Sequence, residues 1–231
     1  MGKQYTEKEI HQKCDEALKN PASFYAKGFV NYRGCCPDAG IPYTEVVAEY
    51  LCRHLQEYIN GIPMIRRTLS YRTYTHDGVY SLTSNREEEI TAMKMFNFCK
   101  SGGCYEKIGE ILDYQTPLKD RQRDKAGKID LLAYDGKILR MLELKKPHTG
   151  ETILRCVLEG YTYLRTADTA KLTSDFNIPT DTPVKASPFV FENSLPYKEY
   201  RSDRPHLKKL MELLDSEPFF IRQVSDEYEV F

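Results

Sequence analysis

The sequence predicts an α/β sandwich built around a mixed β-sheet with helices on its faces, and three observations lead there. From residue 84 onward the periodic segments run helix, three strands, helix, strand, helix, strand, an alternation typical of layered α/β proteins. An Asp135-Gly136 pair lies between two apolar runs, which marks an antiparallel hairpin. The 231 residues, 41% hydrophobic and 29% charged, supply enough apolar surface for a buried core.

Before residue 84 the pattern is mainly helical. Thr6 to Lys19 reads as a polar amphipathic helix stopped before Pro21, and Tyr43 to Ile59 as a second helix with Thr44 as N-cap. Asn31 to Gly40 is dense in turn formers and reads as a loop, while Arg66 to Tyr74 alternates in a way that fits a short strand. Residues 1–83 are therefore expected to be a mainly helical extension and residues 84–231 the core.

In the core, Ser84-Asn85-Arg86-Glu87 reads as a capping box opening a helix to about Lys100. Ile108 to Leu118, Lys128 to Tyr134 and Ile138 to Lys145 read as strands, and Glu151 to Arg165 as a helix. Val184 to Phe191 follows as a buried strand, then Arg204 to Leu214 as an amphipathic helix and Phe219 to Val224 as the last strand.

A formal net charge of -1 gives no global basic field, so any phosphate-binding surface has to be local. Seven cysteines and a charged start, MGKQYTEKEIHQKCDE, fit reduced thiols in a cytoplasmic protein. No apolar run approaches the roughly 18 residues of a membrane span, so no membrane association is expected. Cys35 and Cys36 are adjacent, and Cys99 and Cys104 are separated by four residues; neither pair matches the tighter spacings of zinc or iron-sulfur sites. His76 and His148 read as isolated surface residues.

The chemistry concentrates in the hairpin. With Asp135 and Gly136 as a two-residue turn, Asp130 lies opposite Met141, and Glu143 and Lys145 fall on the same face because side chains alternate with period two. Asp130 and Glu143 then become diagonal cross-strand neighbours, roughly 7 to 8 Å apart along the backbone. Their surroundings are apolar, so two like charges there call for a cation between them. A solvated strand face carrying an ordinary ion pair is the plainer alternative.

Asp130, twelve intervening residues, and Glu143-Leu144-Lys145 resemble the signature of the PD-(D/E)xK nuclease superfamily, which includes restriction endonucleases and RecB-like nucleases. The resemblance implies a restriction endonuclease-like three-layer sandwich. It implies a Mg²⁺- or Mn²⁺-dependent nuclease acting on nucleic acid, with DNA the expected substrate. Asp130 and Glu143 would hold the metal, with the Leu144 carbonyl as a further ligand, and Lys145 would assist catalysis. Members often add an acid from the preceding helix, and Glu89, near the middle of that helix's apolar arc, is the expected third ligand; complementing the helix dipole is the alternative role. Glu159 and Tyr163 occupy places comparable to a Gln and a Tyr of RecB-like members. Lys128 and Arg123, from the basic loop before Asp130, and Tyr163 are the expected nucleic-acid contacts. Two alternatives stay open: a catalytically inactive nucleic-acid- or protein-binding module on the same fold, and a protein partner held through residues 1–83.

Overall fold

A computed structural model describes residues 3–80, 86–120 and 127–231. Six strands form one mixed sheet, β1 (Glu110–Pro117), β2 (Lys128–Tyr134), β3 (Leu139–Lys145), β4 (Val184–Phe191), β5 (Phe219–Val224) and β6 (Glu227–Val230), adjacent in that order. The pairs β1–β2, β2–β3 and β5–β6 are antiparallel, and β3–β4 and β4–β5 are parallel. Helix α5 (Ile153–Thr166) makes the crossover from β3 to β4, as a parallel pair requires. Every residue of β3 is buried, as expected of a central strand covered on both faces.

Helix α4 (Glu87–Lys100) covers one face, where Ala92 and Met95 pack with Leu131, Ala133, Leu142, Leu144, Phe189 and Ile221. On the other face α5 joins a larger cluster. It includes Ile10 and Cys14 of α1 (Glu7–Leu18), Val47 and Leu51 of α2 (Tyr43–Arg53), Tyr58 of α3 (Leu55–Asn60) and Leu207 and Leu210 of α8 (Pro205–Leu213). The N-terminal segment thus shares a core with α5 and α8. Its docking is also polar: the Thr152 hydroxyl caps α5 by accepting from Arg155 N at 3.2 Å and donates to the Val30 carbonyl at 2.9 Å.

Several expectations are corrected. The second helix breaks at His54, and its N-cap is Pro42; Thr44 lies buried within the helix and caps nothing. Arg66 to Tyr74 forms no strand, because the Asp120 carboxylate takes the Thr68 and Leu69 N–H groups and Asp175 takes that of Tyr71. Helix α4 begins at Glu87 with Arg86 as N-cap and no side-chain cap bond. The Ser84 capping expectation lies outside the described residues. Helices α6 (Thr169–Asp175) and α7 (Leu195–Arg201) and strand β6 were not foreseen. Each of those helices is seven residues long, too short to display a period, although Asp168 and Ser194 cap them as such residues do.

The hairpin register differs too. The ladder begins at Tyr134↔Leu139, leaving four residues in the loop and setting Leu131 against Leu142. Asp135 causes this: its carboxylate accepts from the N–H groups of Lys137 and Ile138 at 2.8 Å and pairs with Arg140 at 2.5 Å, which withdraws both N–H groups from the ladder. Asp130 therefore stands directly opposite Glu143 instead of diagonal to it, on the same face as expected. No described helix is long and apolar enough to cross a membrane.

Candidate active site

The β1–β2 and β2–β3 registers, each carried one step, align Gln115, Asp130 and Glu143 in one row across three strands. Asp130 keeps some exposure, whereas Glu143 and Lys145 are 5% and 7% exposed. The Asp130 carboxylate accepts from Gln115 Nε2 and from Leu144 N, both at 2.9 Å. Gln115 has φ +49°, an uncommon conformation for a residue other than glycine. Its amide is held against the acid at that local cost.

Lys145 sits among carboxylates. Its Nζ lies 2.7 Å from Glu143 Oε1, 3.0 Å from Glu151 Oε2 and 3.1 Å from Glu159 Oε2. Tyr163 donates its hydroxyl to the other oxygen of Glu159 at 3.0 Å, and Arg155 pairs with Glu151 at 3.0 Å. Helix α5 lies close to β3 at Gly160, where a Cβ would make ordinary contact with Glu143 Cβ at 3.4 Å. At Gly127, by contrast, a Cβ would strike the Tyr163 ring.

Burial raises the Asp130 carboxyl above its ordinary range; Lys145 opposes the shift and Glu88 adds to it. Burial also raises Glu143 well above its range, with the Asp130 charge the next cause. For Lys145 burial works downward, but Glu143 and Glu159 outweigh it and hold the ammonium charged. Burial lifts the Tyr163 hydroxyl, and the neighbouring Glu159 lifts it further. Carboxylates thus outnumber cations in a place that disfavours uncompensated charge.

Asp130, Glu143 and Lys145 are brought together as expected. Of the acids opening α4, Glu88 accepts from Lys146 N at 3.0 Å and acts on Asp130, while Glu89 lines a cavity with Gln115 and Lys128. Glu89 pairs with Arg86 at 3.0 Å. Lys128 is exposed next to the site, and Arg123 lies outside the described residues. Sequence reasoning did not single out Gln115, and no spacing rule would have. Glu151, which the sequence marks only as the start of a helix, also joins the cluster around Lys145. His76 is corrected from isolated surface residue to half-buried partner: its Nδ1 lies 2.6 Å from Asp113 Oδ1, and its ring stacks on Tyr114 at 4.4 Å.

Among the described residues, three metal-ligating groups come within 4.8 Å of one another only at Glu7, His11 and Glu49. Arg53 already pairs with Glu49 there and approaches His11 Nε2 at 3.4 Å, which compensates that charge from within the protein. Cys14, Cys36, Cys99 and Cys156 are buried, and Cys35 and Cys104 are exposed. Comparisons with family models, with curated proteins and with solved structures find no match to the chain.

Proposed function

We propose that the chain is a divalent-metal-dependent nuclease with a restriction endonuclease-like core, hydrolysing phosphodiester bonds in nucleic acid, with DNA as substrate. One observation carries the reading: Asp130 and Glu143 oppose each other on one buried face, and Lys145 of the same face is bonded to Glu143. The run α4-β1-β2-β3-α5-β4, antiparallel through β3 and parallel to β4, agrees with that core.

The donor set suits a hard cation. Carboxylate oxygens are the ligands that Mg²⁺ and Mn²⁺ prefer, and both acids are raised by burial and by like charge, the condition a dication relieves. Asp130 and Glu143 would hold the ion, with Glu88, the helix acid whose charge acts on Asp130, to complete the set; Glu89 would have to leave Arg86 to take that place. Such an ion polarises a phosphodiester and acidifies bound water.

The remaining work falls to this chain's own groups. Gln115 and the Leu144 N–H fix the Asp130 carboxylate in one orientation. Lys145, kept protonated by Glu143 and Glu159, offers a permanent positive charge to a phosphate on which negative charge builds. Tyr163 and Arg155 hold Glu159 and Glu151, so the ammonium is positioned from behind.

Cleavage of plasmid and of end-labelled single-stranded DNA with Mg²⁺, Mn²⁺ or chelator tests this. The wild type is expected to cut only with metal, and Glu143→Ala and Lys145→Ala to lose at least about a hundredfold in rate. A wild type that cuts nothing, or variants that cut as well, overturns the reading. DNA binding without cutting would instead favour a binding module.

A further inference from the structure

Residues of α4 and β1 help line a cavity of about 370 Å³, within the roughly 300 to 1,000 Å³ of small-ligand sites. Arg72, Tyr74, His76, Phe96, Lys100 and Phe176 line it, so aromatic rings and cationic side chains share one cavity, together with the carboxylates of Glu110 and Asp113. Tyr74 is 86% exposed, and the Arg72 guanidinium stands 5.8 Å from its ring centre. An exposed tyrosine beside an arginine is a stacking surface that water alone covers.

The loop that carries these groups is anchored. Asn97 donates to the Gly78 carbonyl at 2.9 Å, Gly78 N donates to the Tyr114 hydroxyl at 3.2 Å, and Lys100 reaches the Asp77 carbonyl at 3.0 Å. Gly78 has φ +82°, and a Cβ there would overlap Asn97, so only glycine permits this docking. On the floor, Asp113 is fixed by His76 and by the Thr116 hydroxyl at 2.9 Å, and Glu110 adds a second carboxylate. With Asp113 buried and both its oxygens engaged, the exposed Glu110 carboxylate is the acceptor that suits an amino group on a base edge.

His76 also lines a neighbouring cavity, of about 400 Å³, with Gln115 and Lys128. Gln115 is the residue whose amide bonds Asp130. The two cavities thus share His76, and the second, lined also by Asp77 and Glu89, reaches Gln115, the partner of Asp130 in the acid row.

We infer that the Tyr74 cavity seats an unpaired nucleobase and leads a single strand toward Asp130, which deepens the nuclease reading and rests on it. Aromatic faces stack on bases of any sequence, and Arg72 and Lys100 provide the charge that meets the backbone. In a duplex the base faces are already stacked and cannot enter the cavity.

Binding is measured without divalent metal, in chelator, by fluorescence anisotropy of a labelled oligodeoxynucleotide of about 12 residues, as single strand and as blunt duplex. The single strand is expected to bind more tightly. Tyr74→Ala and Arg72→Ala are each expected to weaken it about tenfold, while Tyr74→Phe keeps the affinity. An oligoribonucleotide that binds with the same Tyr74 dependence supports the same surface. Equal binding by wild type and Tyr74→Ala, or preference for duplex, overturns the inference. Tyr74-dependent binding without metal-dependent cutting leaves this surface standing and removes the nuclease reading; cutting without Tyr74 dependence does the reverse.

Discussion

Glu143 and Asp130 are acids held where the charged form is disfavoured, and this links proton uptake to folding. Their folded-state pKa values lie above the unfolded ones, so between those values the native state binds more protons than the unfolded chain. Stability of the metal-free protein is therefore greatest at low pH within this window and falls as pH rises. For Asp130 the window runs from its ordinary 3.8 to about 7. Chemical denaturation at pH 5 and pH 8 checks this: the stability of wild type relative to Glu143→Gln is expected to decline toward pH 8 in chelator, and Mn²⁺ to restore it. A pH-independent difference would mean the two carboxylates are not linked to folding.

Lys145 gives a second prediction at this scale. Removing it leaves Glu143 and Glu159 buried without their shared cation, and breaking a buried pair typically costs about 3 to 5 kcal/mol. Lys145→Ala is expected to lower the metal-free melting temperature by several degrees, more than an exposed lysine such as Lys128 would. The residue types and their common face were legible in the sequence. Gln115 was not, because its role comes from a left-handed backbone conformation that no local pattern announces.

At the scale of elements, the β2–β3 hairpin shows which part of a register can be read in advance. Asp135 captures two N–H groups and lengthens the loop from two residues to four. That slides the pairing by two positions in sequence sum, an even change that turns the diagonal neighbours into opposed ones yet keeps the acids on one face. A slip by one would have sent Glu143 to the α4 side. Side-chain alternation was thus a safer guide than turn length, since hydrogen bonds from a single aspartate decide the latter.

Helix α8 depends on a contact invisible in sequence. Glu45 of α2, 3% exposed, accepts from His206 N and Leu207 N, each at 2.9 Å, and places a carboxylate at the positive end of α8. Glu45→Ala strands those N–H groups and is expected to cost about 1 to 3 kcal/mol. Thermal melting should register it as a drop of a few degrees, with the proposed cleavage per folded molecule unchanged. A melting temperature equal to that of the wild type would contradict this role.

Across the whole molecule, the N-terminal segment and the sheet are parts of one packing arrangement. Phe24, Val30, Leu51 and Tyr58 share a cluster with Leu154, Val157 and Leu158 of α5, the helix that presents Glu159 to Lys145. The change of pattern near residue 84 suggested an extension beside a core, because linear pattern reports which faces are apolar but not which apolar faces meet. Residues 84–231 expressed alone would expose that side of α5 and are expected to unfold without a cooperative transition or to aggregate; a sharp melt of the fragment by circular dichroism would contradict this.

Asp130 and Glu143 are proposed to form a site for a hard dication. Anomalous diffraction from crystals soaked in Mn²⁺ tests it most directly. The expected result is one strong peak in contact with carboxylate oxygens of both residues, lost in Glu143→Gln. A soaked crystal with no peak between those two side chains, or with its only peak at Glu7, His11 and Glu49, would contradict it.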